Sequence, residues 1–481
     1  MKLGKLSSWA PAEGRLVVWR PEGALQKAAD DAPVDPGPAS FLQGDHLGAY
    51  AATVAEGRTH RGWTGVATEL DGPLDRVAMA TALAAFAARH EGMRTWFDYS
   101  SGLPERRLVP AEAVLAEGAF EAAEVDDPAD WASDWEATLT ELFDAQCTPD
   151  SWTPFRLGAI ERPDGFGLFW ACDHAFTDGA SQVMVLNEIV ESYDAARDGR
   201  PVQTEPAPDQ TSVLQHTREE WELAAAQTPE SPEVQAWLEV VRRHDGNLPQ
   251  LPVDLGLEPG ESAPVAPVEF DLLTGDEVDA FEALCRASGG NLTSGVFAAL
   301  ALTDTAITGA DRWFGITVVG SRGPAYLRSQ GWLCNFAPVE LAVPESRDFA
   351  ETVAAAHAGF KAGLQLASIP AHVALGAMLA AGVTTIEQVG SPQMVSFLDL
   401  RRFPGVGTPT YERGLHFTGL GRTRNASMWI NREPGRLHFG AQTPDTPQAQ
   451  RAVADYHQQV ERTVRAALAA SEGATGAGHG G

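Results

Sequence analysis

Residues 169–181 read FWACDHAFTDGAS. An apolar run ends here in a cluster of titratable side chains, in which His174 lies between Asp173 and Asp178 and Gly179 follows. A plain turn needs the glycine and at most one aspartate. A histidine is the side chain best suited to act as a base near neutral pH, and an aspartate four residues later can anchor the loop. The stretch therefore marks His174 as a candidate general base.

The flanking sequence places this cluster at a junction between a strand and a helix. Residues 154–174, PFRLGAIERPDGFGLFWACDH, read as two strands joined by a turn at Arg-Pro-Asp-Gly. Residues 180–199, ASQVMVLNEIVESYDAARDG, have apolar side chains at helical spacing and end in Asp-Gly. Such junctions are typical of active sites, because the strand fixes the backbone while the loop stays open. The pattern alone is equally compatible with a helix-capping aspartate beside a surface histidine.

Composition limits the classes of function. The chain has 481 residues, which exceeds one ordinary core, and its formal net charge of −30 argues against nucleic acids and anionic membrane surfaces as partners. It has no transmembrane run of about 18 apolar residues and no apolar signal segment at its start, so we expect a cytoplasmic protein. None of the four cysteines forms a CxxC pair, and no His/Cys cluster has zinc spacing, so we expect no metal site.

The distribution of turn residues and periodic segments predicts two lobes. We expect an N-terminal lobe over residues 1–200, opening with a β-hairpin over residues 1 to about 30. Residues 201–265, rich in Pro, Glu and Gln, are expected to form a linker region, and residues 266–470 a C-terminal lobe. The small residues of 471–481 predict a disordered tail.

Four segments, one of them within the opening stretch, carry a family resemblance. The chain contains RHEGMRTWF at 89–97, DHAFTDGAS at 173–181, VVGSRGP at 318–324 and GWLCNFAPVEL at 331–341. In this order and at this spacing they resemble the motifs of the condensation-domain superfamily of CoA- and carrier-protein-dependent acyltransferases, whose signature is HHxxxDG. The resemblance covers nearly the whole chain.

A narrower resemblance is carried by GKLSSWAPAEGRLVVWRP at 4–21, PASFLQGDHLGAY at 38–50 and SFLDLRRFPG at 396–405. These segments are similar to the polyketide-associated acyltransferases of actinobacteria, which esterify hydroxyls, often on trehalose. The resemblance implies an α/β (α+β) fold of two chloramphenicol-acetyltransferase-like lobes arranged as a V, with a central tunnel and His174 near its middle. It implies an acyltransferase of lipid or natural-product biosynthesis.

The resemblance also assigns roles to the motif residues. His174 is expected to act as general base on an acceptor hydroxyl without a covalent acyl-enzyme, and backbone N–H groups near Gly179 are candidates for stabilising the oxyanion. Asp178 is expected to pair with Arg322 as structural support of the site. Asp173 stands where the family has its first histidine. It either supports His174, by fixing its tautomer or raising its pKa, or marks a degenerate site.

Other residues are weaker candidates. Ser396 and Asn335 are expected to line the tunnel, whereas Trp332 and Phe336 are expected in the core. The density of arginines near 401–436 suggests an anion site for CoA phosphates, a phosphopantetheine or a sulfated acceptor, although pairing with local acids explains it equally well. The anion-binding candidates are Arg401, Arg402, Arg422 and Arg424.

The donor implied is an acyl-CoA or a phosphopantetheinyl carrier protein, such as an acyl carrier protein or polyketide synthase. The acceptor is a hydroxyl or an amine. We expect a monomer with no bound cofactor. One alternative is a free-standing nonribosomal-peptide condensation enzyme that joins carrier-bound units through an amide or ester. Another is a catalytically degenerate scaffold that binds a carrier protein.

Overall fold

The computed structural model describes residues 1–125, 131–390 and 392–477. These residues divide into two compact units, and neither unit is contiguous in sequence. The first contains Met1–Glu222, Ser321–Cys334 and Arg402–Gly421. The second contains Leu223–Gly320, Asn335–Arg401 and the described chain from Arg422 onward.

Strands and helices are interspersed along the chain. In chain order, the strands are β1 (Lys2–Leu3), β2 (Arg15–Pro21), β3 (Trp63–Asp71), β4 (Thr95–Asp98), β5 (Glu105–Leu108), β6 (Phe120–Glu124), β7 (Phe155–Glu161), β8 (Gly165–Asp173), β9 (Ala263–Thr274), β10 (Arg312–Gly320), β11 (Cys334–Ala342), β12 (Met394–Asp399), β13 (Leu415–Thr418), β14 (Arg422–Thr423), β15 (Ser427–Glu433) and β16 (Arg436–Pro444).

The helices cover much of the remaining chain. They are α1 (Gly23–Asp30), α2 (Phe41–Ala55), α3 (Arg76–Arg89), α4 (Ala111–Val114), α5 (Trp131–Gln146), α6 (Gly179–Arg197), α7 (Val213–Ala225), α8 (Pro232–Arg242), α9 (Asp276–Ala287), α10 (Leu292–Thr308), α11 (Phe349–Leu366), α12 (Ala371–Ala380), α13 (Ile386–Val389), α14 (Pro409–Glu412) and α15 (Pro447–Ala477).

Each unit is built on a seven-stranded sheet. The first sheet has the order β1-β13-β3-β8-β7-β2-β6, and the second has the order β11-β10-β12-β15-β16-β9-β14. A separate pair, β4 and β5, completes the first unit. This α/β organisation in two lobes confirms the fold class expected from the sequence.

The strand that leads to the motif lies inside the first sheet. β8 pairs antiparallel with β3 on one side and with β7 on the other, and all nine of its residues are buried. A strand covered on both faces needs an unbroken apolar run, which explains why the sequence before Asp173 does not alternate. The predicted hairpin over 154–174 is confirmed as β7 and β8. The apolar run therefore holds the motif at the end of a rigid central strand.

Each unit has its own apolar core. Against the first sheet pack the buried helices α3 and α6, with Phe86 and Trp170 in edge contact at 5.2 Å between ring centroids. In the second unit, the nearly all-apolar α10 is buried, and Phe297 of this helix contacts Trp313 of β10 at 5.9 Å between centroids.

Several boundaries differ from those predicted. The hairpin expected over residues 1 to 30 is wrong, because β1 pairs with β13, β2 pairs with β6 and β7, and residues 23–30 form α1. The region 201–265 contains the helices α7 and α8 and is divided between the two units. Residues 321–334 and 402–421, expected in the C-terminal lobe, belong to the first unit, since β13 inserts into its sheet.

The expected disordered tail over 471–481 is also wrong in its first part, because α15 continues to Ala477. Residues 478–481 lie outside the described part of the chain. Within the described residues, no single helix combines the length and apolarity needed to span a membrane. α11 and α12 meet that requirement only together, as a pair bent by 85°.

Candidate active site

The two aspartates of the motif cap two successive helical turns. Asp173 ends β8, and its carboxylate accepts a hydrogen bond of 2.9 Å from the N–H of Ala175, which opens a single 3-10 turn over His174–Phe176. Asp178 caps α6 by accepting a hydrogen bond of 2.8 Å from the N–H of Ser181. Both arrangements satisfy N–H groups that a helix start leaves without partners. The motif sequence thus folds as strand, cap, turn, cap and helix.

Asp178 is held by Arg322, the partner expected from the resemblance. The guanidinium Nη2 lies 2.7 Å from Asp178 Oδ1, and the two side chains are 6% and 3% exposed. The second carboxylate oxygen accepts a hydrogen bond of 3.0 Å from the N–H of Leu333. Burial alone would raise the pKa of Asp178, but the charge of Arg322 and these N–H groups outweigh it, so that the pKa lies below its ordinary value. Asp178 therefore remains ionised.

Arg322 reaches further into the same loop. Its Nη2 also lies 2.8 Å from Ser181 Oγ, and its Nη1 donates to the carbonyl of Tyr326 at 3.3 Å. The sequence had placed Arg322 and Asp178 in different lobes, whereas the structure assigns both to the first unit. The pair joins the start of α6 to the segment that carries Trp332.

Asp173 contacts two histidines that the sequence did not single out. Its Oδ1 lies 3.0 Å from His46 Nε2, and its Oδ2 lies 3.0 Å from His60 Nε2. The Asp173 side chain is fully buried. Burial opposes ionisation of this carboxyl, but His46 and His60 outweigh the effect and lower its pKa to about 2. Asp173 is therefore a buried carboxylate between two imidazoles.

His174 lies between these two anchored carboxylates. Its backbone N–H donates to the carbonyl of Gly62 at 2.9 Å, and its imidazole is partly exposed. The Nδ1 atom is buried and has no hydrogen-bond partner among the described residues. Asp173 therefore does not fix the tautomer of His174 through that nitrogen, one of the roles expected for it. Burial, followed by the proximity of His46, lowers the pKa of His174, and the charge of Asp173 acts in the expected, raising direction without outweighing them.

Trp332 packs against His174, although the sequence favoured a core position for it. The two ring centroids are 4.2 Å apart with the planes tilted by 45°. Trp332 is partly exposed, and the ring of His46 also meets its edge at 6.0 Å. The indole therefore forms one wall beside the candidate base.

Another histidine, His416 of β13, belongs to the same unit. Its Nε2 lies 2.7 Å from the hydroxyl of Thr64 on β3. Burial, with a smaller contribution from His174, lowers the pKa of His416 to about 4. A neutral imidazole thus occupies the sheet near His174, although β13 comes from a segment about 240 residues downstream of the motif.

The RHEGMRTWF motif supports α6 from α3. Arg89 Nε and His90 Nε2 each lie 2.9 Å from Glu188 Oε1. Burial opposes ionisation of Glu188, but His90 and Arg89 outweigh it and lower its pKa to about 2. The motif therefore fixes the helix that begins directly after Asp178.

Asn335 and Ser396, predicted to line a tunnel, both belong to the second unit. The Asn335 amide is fully engaged, because its Nδ2 donates to the carbonyls of Ala367 at 2.9 Å and Ile369 at 2.7 Å, and its Oδ1 accepts from the N–H of Ala371 at 3.0 Å. Asn335 thus ties α11 to α12. Ser396 lies on β12, which is paired on both sides by β10 and β15. A role of these two residues in lining a tunnel stays a prediction.

Arg401 is paired with local acids rather than left free for an anion. Its Nη2 lies 2.6 Å from Asp399, and its Nη1 lies 3.1 Å from Glu282. Hydrogen bonding by Asp399 is the largest of the effects that raise its pKa above the ordinary value. For this arginine, the structure favours the alternative of local pairing.

The other predicted anion-binding arginines have different surroundings. Arg422 Nε donates to the Ser262 hydroxyl at 3.0 Å, and Arg424 Nη2 donates to the carbonyl of Gly260 at 3.0 Å. Arg402 is exposed. The structure places Arg402 in the first unit and the other three in the second, so it does not bring the four together in one unit.

Comparisons with known proteins agree with this architecture. The family model of the condensation domain matches residues 48–371. Acyltransferase PapA3 of Mycobacterium tuberculosis is 28% identical over 480 residues, which cover 95% of this chain and 94% of that protein. Trehalose-2-sulfate acyltransferase PapA2 of Mycobacterium bovis is 27% identical over 472 residues, which cover 94% of each protein.

Two solved structures share the fold. A PapA2 acyl transferase structure superposes with a TM-score of 0.85 at 24% identity, covering 97% of this chain and 100% of that one. The starter condensation domain of rhizomide synthetase, solved with C8-CoA, has a TM-score of 0.62 at 14% identity, covering 92% of this chain and 97% of that one. The family expected from the motifs is confirmed, and the chain belongs to the condensation-domain family.

Proposed function

We propose that this chain is an acyltransferase that moves an acyl group from a CoA or carrier-protein thioester to a hydroxyl group in lipid or natural-product biosynthesis. The observation that carries the proposal is the setting of His174. Its imidazole is partly exposed and lies between two buried carboxylates that fix the loop on either side. The names of the relatives PapA3 and PapA2 support the same class of reaction.

The chemistry assigned to His174 is general-base catalysis. The imidazole takes the proton of the acceptor hydroxyl as the oxygen attacks the thioester carbonyl, and a tetrahedral oxyanion forms. Collapse breaks the C–S bond, and the leaving thiolate takes the proton back from the imidazolium. Two products result, an ester and a free thiol, and no acyl group is covalently attached to the protein at any step.

The local electrostatics suit this cycle. Because burial and His46 lower the pKa of His174, its resting form at neutral pH is the neutral base. The same effects favour return of the proton from the imidazolium to the thiolate. Backbone N–H groups at the start of α6, near Gly179, are the proposed donors to the oxyanion, because the N-terminus of a helix favours negative charge.

The relatives narrow the choice of substrates to test. One is named for trehalose 2-sulfate, and the rhizomide starter domain binds C8-CoA. We therefore propose an acyl-CoA or carrier-bound acyl donor and a sugar hydroxyl as acceptor. The pairing of Arg401 with acids leaves Arg402, Arg422 and Arg424 as the remaining predicted contacts for an anionic donor or acceptor.

The experiment is a substrate panel with the purified full chain. Octanoyl and palmitoyl donors, each as the CoA thioester and on an acyl carrier protein, are combined with trehalose, trehalose 2-sulfate or an amino acid amide. Binding of the carrier protein is measured, and free thiol and acylated products are measured by absorbance and mass spectrometry. We expect thiol release that depends on the sugar, together with an equimolar ester. Amide formation alone would indicate a condensation enzyme. Binding of carrier protein without turnover of any donor would indicate a scaffold, and either result would overturn the proposal.

A further inference from the structure

The cluster around Asp173 has the composition of a metal site. We propose that His46, His60 and Asp173 together bind a divalent transition-metal ion of the Zn²⁺ class. The candidate ligand atoms, one imidazole nitrogen from each histidine and one carboxylate oxygen, all lie within 4.8 Å of one another. Imidazole nitrogen with carboxylate oxygen is a preferred ligand set for Zn²⁺ and related ions.

The distances already approach those of a coordinated ion. Each Nε2 atom lies 3.0 Å from a carboxylate oxygen of Asp173. Ligand atoms at about 2.0–2.1 Å from a tetrahedral ion are separated by roughly 3.3 Å. The two nitrogen–oxygen separations are therefore close to that value, and binding of one ion requires the full set of three ligand atoms, now within 4.8 Å of one another, to contract towards it. The His46 and His60 side chains are only 13% and 9% exposed, so that water competes little for the ligands.

The three ligands come from segments that are fixed before any ion arrives. Gln43, one turn before His46 in α2, donates to the carbonyl of Ala175 at 2.7 Å. The loop of His60 is fixed by the bond from the His174 N–H to the Gly62 carbonyl. Asp173 ends the central strand β8. A pre-organised ligand set avoids the ordering cost that weakens flexible sites.

Gly62 leaves the space in which the imidazoles converge. A Cβ atom at this position would lie 2.4 Å from His60 Nε2 and 2.7 Å from His46 Cε1. The backbone of Gly62 is outside the left-handed region, so conformation does not require glycine here. The bare backbone instead provides room for the two rings beside the carboxylate.

The local spacing of the sequence predicted no metal site, because His46, His60 and Asp173 are far apart along the chain. The inference is independent of acyl transfer, since the ligands are distinct from His174. The competing explanation is a hydrogen-bonded cluster of two imidazoles and one carboxylate that binds no ion. The two explanations differ in whether a metal is taken up, which can be measured without any enzymatic assay.

The test uses the full chain, freed of affinity tag and treated with a chelator. Zn²⁺ binding is measured by calorimetry, and Co²⁺ binding by the visible absorption that nitrogen and oxygen ligands produce. We expect one equivalent of either ion and a rise in melting temperature with added Zn²⁺, because an ion that binds only the folded state stabilises it. His60→Gln and Asp173→Asn should each weaken binding at least tenfold and abolish the Co²⁺ spectrum.

The matched control is His357→Gln, which changes a histidine of α11 in the second unit. It should bind both ions as the unmodified chain does. Circular dichroism identifies any variant that fails to fold, and His46→Gln then replaces it. Absence of stoichiometric binding to the unmodified chain, or equal binding by the cluster variants, would overturn the proposal and leave the hydrogen-bonded cluster as the explanation.

Discussion

The motif contains two buried carboxylates, five positions apart, with opposite kinds of partner. Asp173 lies between the imidazoles of His46 and His60, whereas Asp178 is bound by the guanidinium of Arg322. Both cap a helical turn, and both have a lowered pKa in spite of burial. Both are aspartates at the start of a helical turn, one a 3-10 turn and the other an α-helix, and the chief difference between them is the kind of neighbour that each contacts.

That difference determines what happens when a carboxylate is removed. A guanidinium stays protonated under all ordinary conditions, so loss of Asp178 leaves Arg322 as a buried charge without its counter-ion. An imidazole is not a permanent cation, so loss of Asp173 leaves no obligatory positive charge behind. We infer that Asp178 holds the loop through a permanent ion pair. Asp173, in contrast, has imidazole partners, which are not permanent cations and can also bind a metal ion.

The largest effect is expected for the residue between them. His174→Ala should reduce the rate of acyl transfer by about 10²- to 10⁴-fold, because it removes the proposed general base. Stability should change by less than about 1 kcal/mol, because the ring is partly exposed and its Nδ1 has no partner among the described residues. Initial rates of thiol release and urea unfolding measure the two quantities.

The control is His357→Ala in the second unit, which should leave the rate unchanged. A His174→Ala variant that retains near-normal turnover would refute the base role. One that unfolds at much lower urea would show instead that His174 belongs to the support of the loop.

The next effect concerns the pair of Asp178 and Arg322. Asp178→Ala and Arg322→Ala should each cost about 3–5 kcal/mol of stability, because each leaves one buried charge alone. The double variant should be less damaged than the sum of the two, because it leaves no unpaired charge. Urea unfolding of all four proteins completes the cycle, and strictly additive losses would mean that the two side chains do not interact.

A smaller loss of stability is expected when Asp173, which contacts His46 and His60, is changed. Asp173→Asn, compared with Asp178→Asn in chelator-treated protein, should cost only about 1–3 kcal/mol. The lost hydrogen bonds are to a charged group, but the partners at 3.0 Å are imidazoles and not a permanently charged guanidinium. Urea unfolding of the two variants side by side tests the comparison directly. Equal losses of stability would show that imidazole partners and a guanidinium partner contribute alike at these two aspartates.

Much of the structure around Asp178 and Arg322 could be predicted from the sequence. The strand-to-helix junction follows from the apolar run before Asp173 and the helical periodicity after Gly179, and the motif order pointed to Arg322 as the partner of Asp178. Only its assignment to a lobe was wrong. That assignment assumed contiguous lobes, whereas residues 321–334 return to the first unit.

The histidines around Asp173 and His174 could not be predicted in the same way. His46, His60 and His416 lie on a helix, a loop and a distant strand, and no local spacing connects them to Asp173. Their convergence depends on the tertiary packing of α2 and on the insertion of β13 into the first sheet. One signal was present: an aspartate in place of the family's first histidine creates a buried charge that requires a cation nearby.

The smallest expected effect concerns the stability contributed by the pair of Asp178 and Arg322, which should not depend on pH near neutrality. The folded pKa of Asp178 lies below its ordinary value of 3.8, so its contribution to stability is complete above that pH and is lost only as the pH falls through the lower, folded value. A guanidinium carries its charge across the whole of this pH range. The stability difference between the unmodified chain and Asp178→Asn should therefore vary by less than about 0.5 kcal/mol between pH 5 and pH 9, because folding takes up no proton at this pair. Urea unfolding at pH 5, 7 and 9 measures it. A difference that shrinks towards pH 9 would identify a titrating cation as the true partner of Asp178, and the contrast between the two carboxylates would then be lost.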